Sequence, residues 1–164
     1  MFEHDHDTVY FAHSYPYTFS DLQRYLNKIE KQPRSQDKMQ RRMLIQTLAG
    51  NPCDTLLITS FQDSPDKIKA KKGIVISARV HPGETGASWM MKGVIDYLIG
   101  PSIGARILRD NFLFQIIPML NIDGVINGNA RCSLAGVDLN RCWMDPTRDM
   151  HPELFTAKWL IKRI

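Results

Sequence analysis

Two residues with metal-binding side chains, His81 and Glu84, are separated only by Pro82 and Gly83. A histidine nitrogen and a carboxylate oxygen both bind Zn²⁺, at about 2.0–2.2 Å. The Pro-Gly pair predicts a tight bend that turns both side chains the same way, toward one metal ion. In a second interpretation, Glu84 caps a helix and His81 is an ordinary loop residue. An H-x-x-E match alone is not specific, so both interpretations stay open at this point.

A second group of polar residues lies in two short runs, Asn129-Ala130-Arg131 and Asp138-Leu139-Asn140-Arg141. Arginine guanidinium groups bind a carboxylate through two parallel hydrogen bonds, and an asparagine amide adds a further donor. Both runs fall in residues 121–143, a long stretch rich in Gly and Asn. Long loops inside a compact domain are often functional. We interpret the group as an anion-binding site; in the alternative, these side chains satisfy the backbone of their own loop.

The elements around these residues predict an α/β fold with a mixed β-sheet flanked by helices. A β-branched run, 74–80, predicts a buried strand that ends directly before His81, at the sheet edge where α/β proteins bind ligands. An apolar run, 112–120, predicts a central strand, and 43–48 with 56–61 predicts a hairpin. Residues 32–42 and 63–72 are predicted as polar connections. Periodicity and capping residues predict helices over 20–30, 85–99, 105–109 and 151–164.

Composition narrows the class of protein. The chain has 164 residues, 43% apolar and 23% charged, which is typical of one globular domain and excludes a disordered chain. Its acidic first residues are followed by no apolar stretch, so no secretory signal is predicted, and no apolar run is long enough to span a bilayer. Three cysteines indicate reduced thiols in the cytosol. The net charge of +4 is too small to indicate nucleic-acid binding.

Several longer runs resemble the cytosolic carboxypeptidases, zinc metallocarboxypeptidases known for trimming glutamates from tubulin. The runs occur in the family's order, with similar spacing, over nearly the whole chain. They are Tyr10–Ala12, Tyr15–Thr18, Ala78–Thr85, Pro118–Asn121, Asp123–Asn129, Arg131–Leu134 and Asp138–Arg141. The resemblance implies a truncated zinc-carboxypeptidase-like fold, with 16–164 as the first half of the catalytic domain. Residues 1–15 then form a leading segment at the end of a β-rich N-terminal domain.

The resemblance also implies a role for each candidate residue. His81 and Glu84 correspond to the first two ligands of a Zn²⁺ cofactor. Arg131 corresponds to the arginine that polarises the scissile carbonyl and steadies the oxyanion. Asn140 and Arg141 correspond to the pair that grips the terminal carboxylate of the substrate. The implied reaction is zinc-dependent hydrolysis of C-terminal residues, glutamate in particular.

Two parts of the family's machinery have no counterpart in the sequence. Its third zinc ligand is a histidine in a later Asp-x-His-Gly-His-like stretch, and its general base is a glutamate further on. His151 matches a position at the start of the preceding helix, so we interpret it as a helix N-terminal residue. The alternative to an active hydrolase is therefore a catalytically incomplete fragment or a pseudoenzyme that binds carboxylates.

The partners implied by the resemblance are acidic C-terminal tails, as on polyglutamylated tubulin, in the cytoplasm with a cytoskeletal or ciliary association. Neither nucleic acid nor membrane is an expected partner. Basic residues in the two polar connections could steer an acidic tail toward the site, or they could be solvated surface charge. These residues are Arg34, Lys38, Arg41, Arg42, Lys67, Lys69, Lys71 and Lys72.

Overall fold

Four strands form a single mixed sheet in the computed structural model of the chain, which describes residues 4–163. They are β1 (Met39–Gln46), β2 (Pro52–Ile58), β3 (Lys72–Ser77) and β4 (Phe112–Ile117). Across the sheet their order is β1-β2-β4-β3. β1 with β2 and β2 with β4 are antiparallel pairs, whereas β3 and β4 run parallel. The predicted α/β fold with a mixed sheet is confirmed.

Helices connect and flank these strands. Residues 4–163 contain α1 (Phe19–Glu30), α2 (Pro65–Lys69), α3 (Thr85–Leu98), α4 (Ile103–Asn111), α5 (Ile122–Asn127) and α6 (Pro152–Ile161), with short 3₁₀ turns at Pro33–Ser35 and Leu139–Arg141. α3 and α4 form the crossover between the parallel strands β3 and β4. Residues 1–3 of the predicted leading segment and Ile164, the predicted end of the last helix, lie outside the described residues.

The first helix begins at Phe19, one residue before the predicted start at 20. Thr18 is its N-cap, because the Thr18 hydroxyl accepts a hydrogen bond from the Asp21 N–H and the Asp21 carboxylate accepts one from the Thr18 N–H. This reciprocal pair is a capping box. Behind it, the apolar face of α1 buries Leu22, Leu26 and Ile29 in the core.

The polar connection predicted over 32–42 is wrong in its second half, because β1 already begins at Met39. The strand can include this polar stretch because the charge of one of its residues, Arg41, is paired. The guanidinium of Arg41 donates to Asp54 on β2 at 2.9 and 3.0 Å, and also to Gln23 and Asn27 on α1. A buried charge is tolerated in a strand when it is paired in this way. Polar composition alone therefore concealed the start of the strand.

The connection predicted over 63–72 contains the short helix α2, capped by Ser64. One of the lysines that could have steered an acidic tail, Lys71, is buried beside it. Its ammonium binds Asp63 at 2.8 Å, the Thr59 hydroxyl at 2.9 Å and the carbonyl of Arg109 at 2.8 Å. Lys71 therefore joins three elements of the fold and is not a free surface charge.

Helix α6 begins at Pro152, with His151 at its N-cap position as predicted. In the first turn of α6, Glu153 is buried, with 5% of its surface exposed. Burial raises the pKa of this carboxyl from 4.5 to about 7, and the charge of Asp123 adds to the effect. Because the fold favours the protonated form, Glu153 stabilises the fold less as the pH rises from 4.5 to about 7.

We predict that Glu153→Gln stabilises the protein at pH 8 and has little effect at pH 4.5, because glutamine stays neutral throughout. Each pKa unit corresponds to about 1.36 kcal/mol, which puts the gain at pH 8 at no more than about 3 kcal/mol. Urea unfolding of both proteins between pH 4.5 and pH 8 measures the difference. A difference that stays constant across this range contradicts the assignment to Glu153.

No helix in residues 4–163 has the length and apolar character that crossing a membrane requires. All three cysteines, Cys53, Cys132 and Cys142, are free thiols, and Cys53 is buried. This agrees with the reduced state expected from their small number.

Candidate active site

The frame of the site is the carboxyl end of the parallel pair β3 and β4. Beyond the strands, the two chains stay hydrogen-bonded: Leu120 N–H donates to the Ala78 carbonyl at 2.9 Å and Asn121 N–H to the Arg79 carbonyl at 3.1 Å. The Asn121 side chain donates to the Val80 carbonyl, and its own oxygen caps α5. Residues 81–84 and the 121–143 segment therefore leave the sheet side by side.

His81 and Glu84 face each other across the turn, with Nδ1 of His81 3.0 Å from Oε1 of Glu84. Glu84 stands at the N-cap position of α3, but its side chain makes no capping hydrogen bond. The alternative in which Glu84 serves as a helix cap is therefore excluded. His81 is 8% exposed, while the Glu84 side chain is 60% exposed, so the pair opens toward solvent from the carboxylate side.

The other ring nitrogen of His81, Nε2, lies 3.0 Å from Oδ1 of Asp138. Asp138 also accepts hydrogen bonds from the Asn140 N–H at 2.8 Å and from Nε of Arg131 at 2.8 Å. Burial by itself would raise the pKa of Asp138, but these three hydrogen bonds outweigh burial and lower the pKa. Asp138 is therefore an ionised hydrogen-bond acceptor, and it fixes the His81 ring through Nε2, the nitrogen that faces away from Glu84.

The other predicted site residues lie around Asp138. Arg131 is bound through Nε, and its side chain is 50% exposed. Asn140 and Arg141 belong to the 3₁₀ turn that Asp138 caps, and both are exposed. The Asn140 side-chain oxygen accepts from Nε1 of Trp143 at 3.0 Å, and the Arg141 guanidinium donates to the Asn140 carbonyl through Nη1 at 3.4 Å. Among the ion pairs of the described residues, none includes Arg141.

The expectation that this loop's side chains serve its own backbone is met in part. The Asn129 side chain donates to the carbonyls of Cys132 and Ser133, and Asp138 caps its own turn. Arg131 binds a side chain, and the Arg141 guanidinium has a single long contact, at 3.4 Å, with the backbone of the loop. Their guanidinium groups stay accessible to an anion from solution.

Comparison with known proteins agrees with this architecture. Residues 23–158, most of the chain, match the family model described as zinc carboxypeptidase. The chain belongs to the zinc carboxypeptidase family.

Individual family members are several times longer than this chain. Cytosolic carboxypeptidase 2 of Mus musculus is 48% identical over 164 residues, covering 100% of this chain and 19% of the relative. Cytosolic carboxypeptidase 1 of Homo sapiens is 46% identical over 167 residues, covering 98% of this chain and 14% of the relative. The resemblance seen in the motifs is confirmed, and the chain spans a fifth or less of these curated relatives.

Solved structures confirm the fold. The metallo-carboxypeptidase of Burkholderia cenocepacia superposes with a TM-score of 0.79 and 31% identity, covering 91% of this chain and 39% of that one. The metallo-carboxypeptidase of Pseudomonas aeruginosa, solved with (2-guanidinoethylmercapto)succinic acid, gives a TM-score of 0.75 and 26% identity over 90% of this chain and 37% of that one. The zinc-carboxypeptidase-like fold predicted from the motifs is therefore confirmed.

The donor set of the site fits the zinc that the family implies. His81 and Glu84 supply one nitrogen and one oxygen on the same side, which are donors that Zn²⁺ accepts. Asp138 takes the position of the carboxylate that commonly holds the second nitrogen of a zinc-bound histidine. Within residues 4–163, no group of three or more His, Cys, Asp or Glu is placed to hold a metal ion. His151 is engaged elsewhere, because its Nδ1 accepts from the Thr147 N–H.

The sequence placed Asp138 in the group interpreted as an anion-binding site and did not connect it with His81. A signal was available: a histidine ligand needs a partner for its other nitrogen, and a carboxylate is the usual choice. The sequence could not show which carboxylate this was, because Asp138 lies 57 positions from His81.

Two glycines allow the loops of the site to approach closely. Gly83 donates its N–H to the Ala130 carbonyl at 2.8 Å, and a Cβ at Gly83 would lie 2.7 Å from that oxygen. A Cβ at Gly124 would lie 2.4 Å from Cγ of Pro82. Any larger residue at these two positions would separate the 81–84 turn from the segment that carries Arg131.

We predict that Gly83→Ala destabilises the protein by about 1–3 kcal/mol, because the new methyl group must displace the backbone of Ala130. Thermal or urea unfolding measures the loss. Gly86→Ala is the matched control, since nothing lies within 4 Å of a Cβ at Gly86 in α3 and alanine favours a helix. Equal stability of the two variants would contradict the close approach.

Proposed function

We propose that the protein is a zinc-dependent metallocarboxypeptidase that removes C-terminal residues from acidic protein tails. The observation that carries the proposal is the position of His81, which is held between Glu84 on one ring nitrogen and Asp138 on the other. Membership of the zinc carboxypeptidase family supports the reaction class. The relatives named cytosolic carboxypeptidases support a cytoplasmic protein.

His81 and Glu84 are the residues that would hold the metal. When bound, Zn²⁺ lowers the pKa of a coordinated water to about 7 and polarises a carbonyl group. Because the ionised Asp138 can only accept, Nε2 of His81 would carry the proton and donate to it, and the lone pair of Nδ1 would then face the metal on the side where Glu84 stands. Asp138 thereby fixes both the tautomer and the orientation of the ring.

Arg131 would stabilise negative charge on the oxygen of the scissile carbonyl. Its Nε is bound to Asp138, so the base of the guanidinium is fixed while its terminal nitrogens can reach the substrate. A donor fixed before the reaction is worth about 2.7–4 kcal/mol of barrier in comparable oxyanion sites. Asp138 provides this fixed point at Nε and leaves the terminal nitrogens of Arg131 as the donors that can face a substrate.

Arg141 and Asn140 would bind the C-terminal carboxylate. Arg141 forms no ion pair among the described residues, and it leaves the same turn as Asn140. A guanidinium and an amide on one turn form a donor surface that matches a carboxylate. The related Pseudomonas aeruginosa enzyme was solved with a succinic acid derivative, a compound with carboxylate groups, which supports this role. A clamp for a terminal carboxylate restricts cleavage to the last residue.

Acidic tails, as on polyglutamylated tubulin, are the proposed substrates, with a cytoskeletal or ciliary association of the enzyme. Arg141, which is exposed and forms no ion pair among the described residues, places one uncompensated positive charge at the mouth of the site. Such charge raises the association rate of an acidic chain. The substrate class is thus an extension of the proposed activity, supported by the motifs shared with cytosolic carboxypeptidases.

We predict that His81→Ala abolishes zinc binding and the release of C-terminal glutamate together, in the full-length product of the gene that encodes this chain. Zinc content by elemental analysis and glutamate release from a glutamate-terminated peptide are the measurements. His151→Ala is the matched control, because its ring accepts from the Thr147 N–H instead, and it should keep both properties. Unchanged zinc content in His81→Ala would disprove the ligand assignment.

The same experiment separates the enzyme from the pseudoenzyme. Parent protein that hydrolyses the peptide supports the proposal. Parent protein that binds the peptide but never cleaves it supports a carboxylate-binding pseudoenzyme. The coding sequence after Ile164 gives an independent test, because an Asp-x-His-Gly-His-like stretch there would provide the family's third ligand.

We predict that Arg141→Ala raises the KM for peptides with a free C-terminal carboxylate by about tenfold or more and changes kcat less. The clamp binds the substrate and the transition state alike, so its loss acts mainly on KM. Steady-state kinetics measures both constants. Arg106→Ala, at an exposed arginine on α4, is the control. An unchanged KM in Arg141→Ala would contradict the clamp.

A further inference from the structure

Arg79 is a buried cation directly before the metal-binding turn. It is 4% exposed, and none of the ion pairs in the described part of the chain includes it. Its backbone lies in the left-handed region, with φ of 56°. A buried guanidinium and a left-handed non-glycine residue both cost free energy, and such residues persist where the surroundings fix them, often near active sites.

Nε and Nη1 of the Arg79 guanidinium donate to neutral acceptors from three parts of the chain. Nε donates to the Pro82 carbonyl at 2.7 Å, within the turn between His81 and Glu84. Nη1 donates to the Ser88 hydroxyl at 2.8 Å, on the first turns of α3, and to the Tyr17 carbonyl at 3.1 Å. One planar group therefore holds the turn and the helix that follows it.

These contacts act on both proposed metal ligands. The Pro82 carbonyl belongs to the Pro82–Gly83 peptide group, between the two proposed ligands. Ser88 lies four residues after Glu84, one helical turn along α3. The left-handed backbone of Arg79 returns its own side chain to this turn. Its backbone carbonyl is meanwhile held by the Asn121 N–H, which ties the same residue to the end of β4.

We propose that Arg79 is a positioning residue of the metal centre: by binding the Pro82 carbonyl and Ser88 together, it fixes the distance between the His81 and Glu84 side chains. This inference rests on the proposed zinc function. Arg79 does not contact the ligand atoms themselves, and it acts on them through the backbone of the turn. Charge-assisted hydrogen bonds suit this role because they are stronger and more directional than neutral ones.

The test is the Zn²⁺ affinity of Arg79→Met, which keeps the aliphatic bulk and removes every donor; this and every other variant is made in the full-length product of the gene that encodes this chain. Competition with a chromophoric chelator measures the Zn²⁺ affinity. Only the Zn²⁺ binding that is lost in His81→Ala is attributed to this site. We expect a loss of about 10–100-fold, the range seen when residues that orient metal ligands are replaced. Unfolding in urea measures the stability of each variant in parallel.

Arg109→Met is the matched control for a purely structural effect. Arg109 is also buried, at 5% exposure, and it also donates to backbone carbonyls, those of Leu98 and Gly100. Its acceptors lie at the end of α3 and beyond, away from the 81–84 turn. We expect Arg109→Met to lose stability and to keep the Zn²⁺ affinity of the parent within twofold.

Arg79→Lys keeps the positive charge and tests the guanidinium itself. A single ammonium cannot reproduce the planar arrangement of the guanidinium donors. We therefore expect Arg79→Lys to fold with more of the parent's stability than Arg79→Met, yet to bind Zn²⁺ about tenfold more weakly than the parent. If Arg79→Met fails to fold, Arg79→Lys decides the question alone.

Each outcome has a defined meaning. Zn²⁺ affinity within twofold of the parent in folded Arg79→Met or Arg79→Lys overturns the proposal. An equal loss of affinity in Arg109→Met overturns it as well, because the effect then follows from stability. If His81→Ala leaves Zn²⁺ affinity unchanged, the proposed function fails first, and this result is distinct from a failure of the Arg79 proposal.

Discussion

The carboxylate of Asp138 accepts hydrogen bonds from the His81 ring, the Arg131 guanidinium and the Asn140 backbone. These donors come from the turn after β3, from the middle of the long segment and from its 3₁₀ turn. One ionised carboxylate therefore binds a proposed metal ligand, a proposed oxyanion donor and the 3₁₀ turn. That turn carries Arg141 of the proposed carboxylate clamp. A change at Asp138 would alter all three at once, because low-dielectric networks of this kind respond as a unit.

The loops of the site are held together mainly by backbone groups. Gly83 donates to the Ala130 carbonyl, Asn121 caps α5 while its amide binds Val80, and Arg79 binds the Pro82 carbonyl. The first of these contacts depends only on the course of the backbone, whereas the other two join a backbone group to the Asn121 or the Arg79 side chain. They explain how a segment of more than twenty residues can present a defined set of donors without being part of the sheet.

Sequence patterns predicted the elements that depend on periodicity, namely α1, α3, α4, α6 and β4, and the motifs identified the family. Two short helices, α2 and α5, were missed because five or six residues carry too little periodicity, and only Ser64 and Asn121 as caps indicated them. The start of β1 was missed because the pairing of Arg41 with Asp54 is a contact across strands. The proposed role of Arg79 could not be predicted from the sequence, because its hydrogen-bond acceptors lie on three separate segments.

Strand β3, which leads toward the 81–84 turn with the proposed metal ligands, is also an outer strand of the described sheet. Its sequence, Lys72-Gly73-Ile74-Val75-Ile76-Ser77, has high β-propensity, one charge and no proline. An edge of this kind offers unpaired backbone groups to any other extended chain, and charge is one of the few features that prevents such pairing. We therefore expect the isolated chain to aggregate in solution through strand pairing at this edge. We expect that covering this edge, or adding a second charge to it, reduces such pairing.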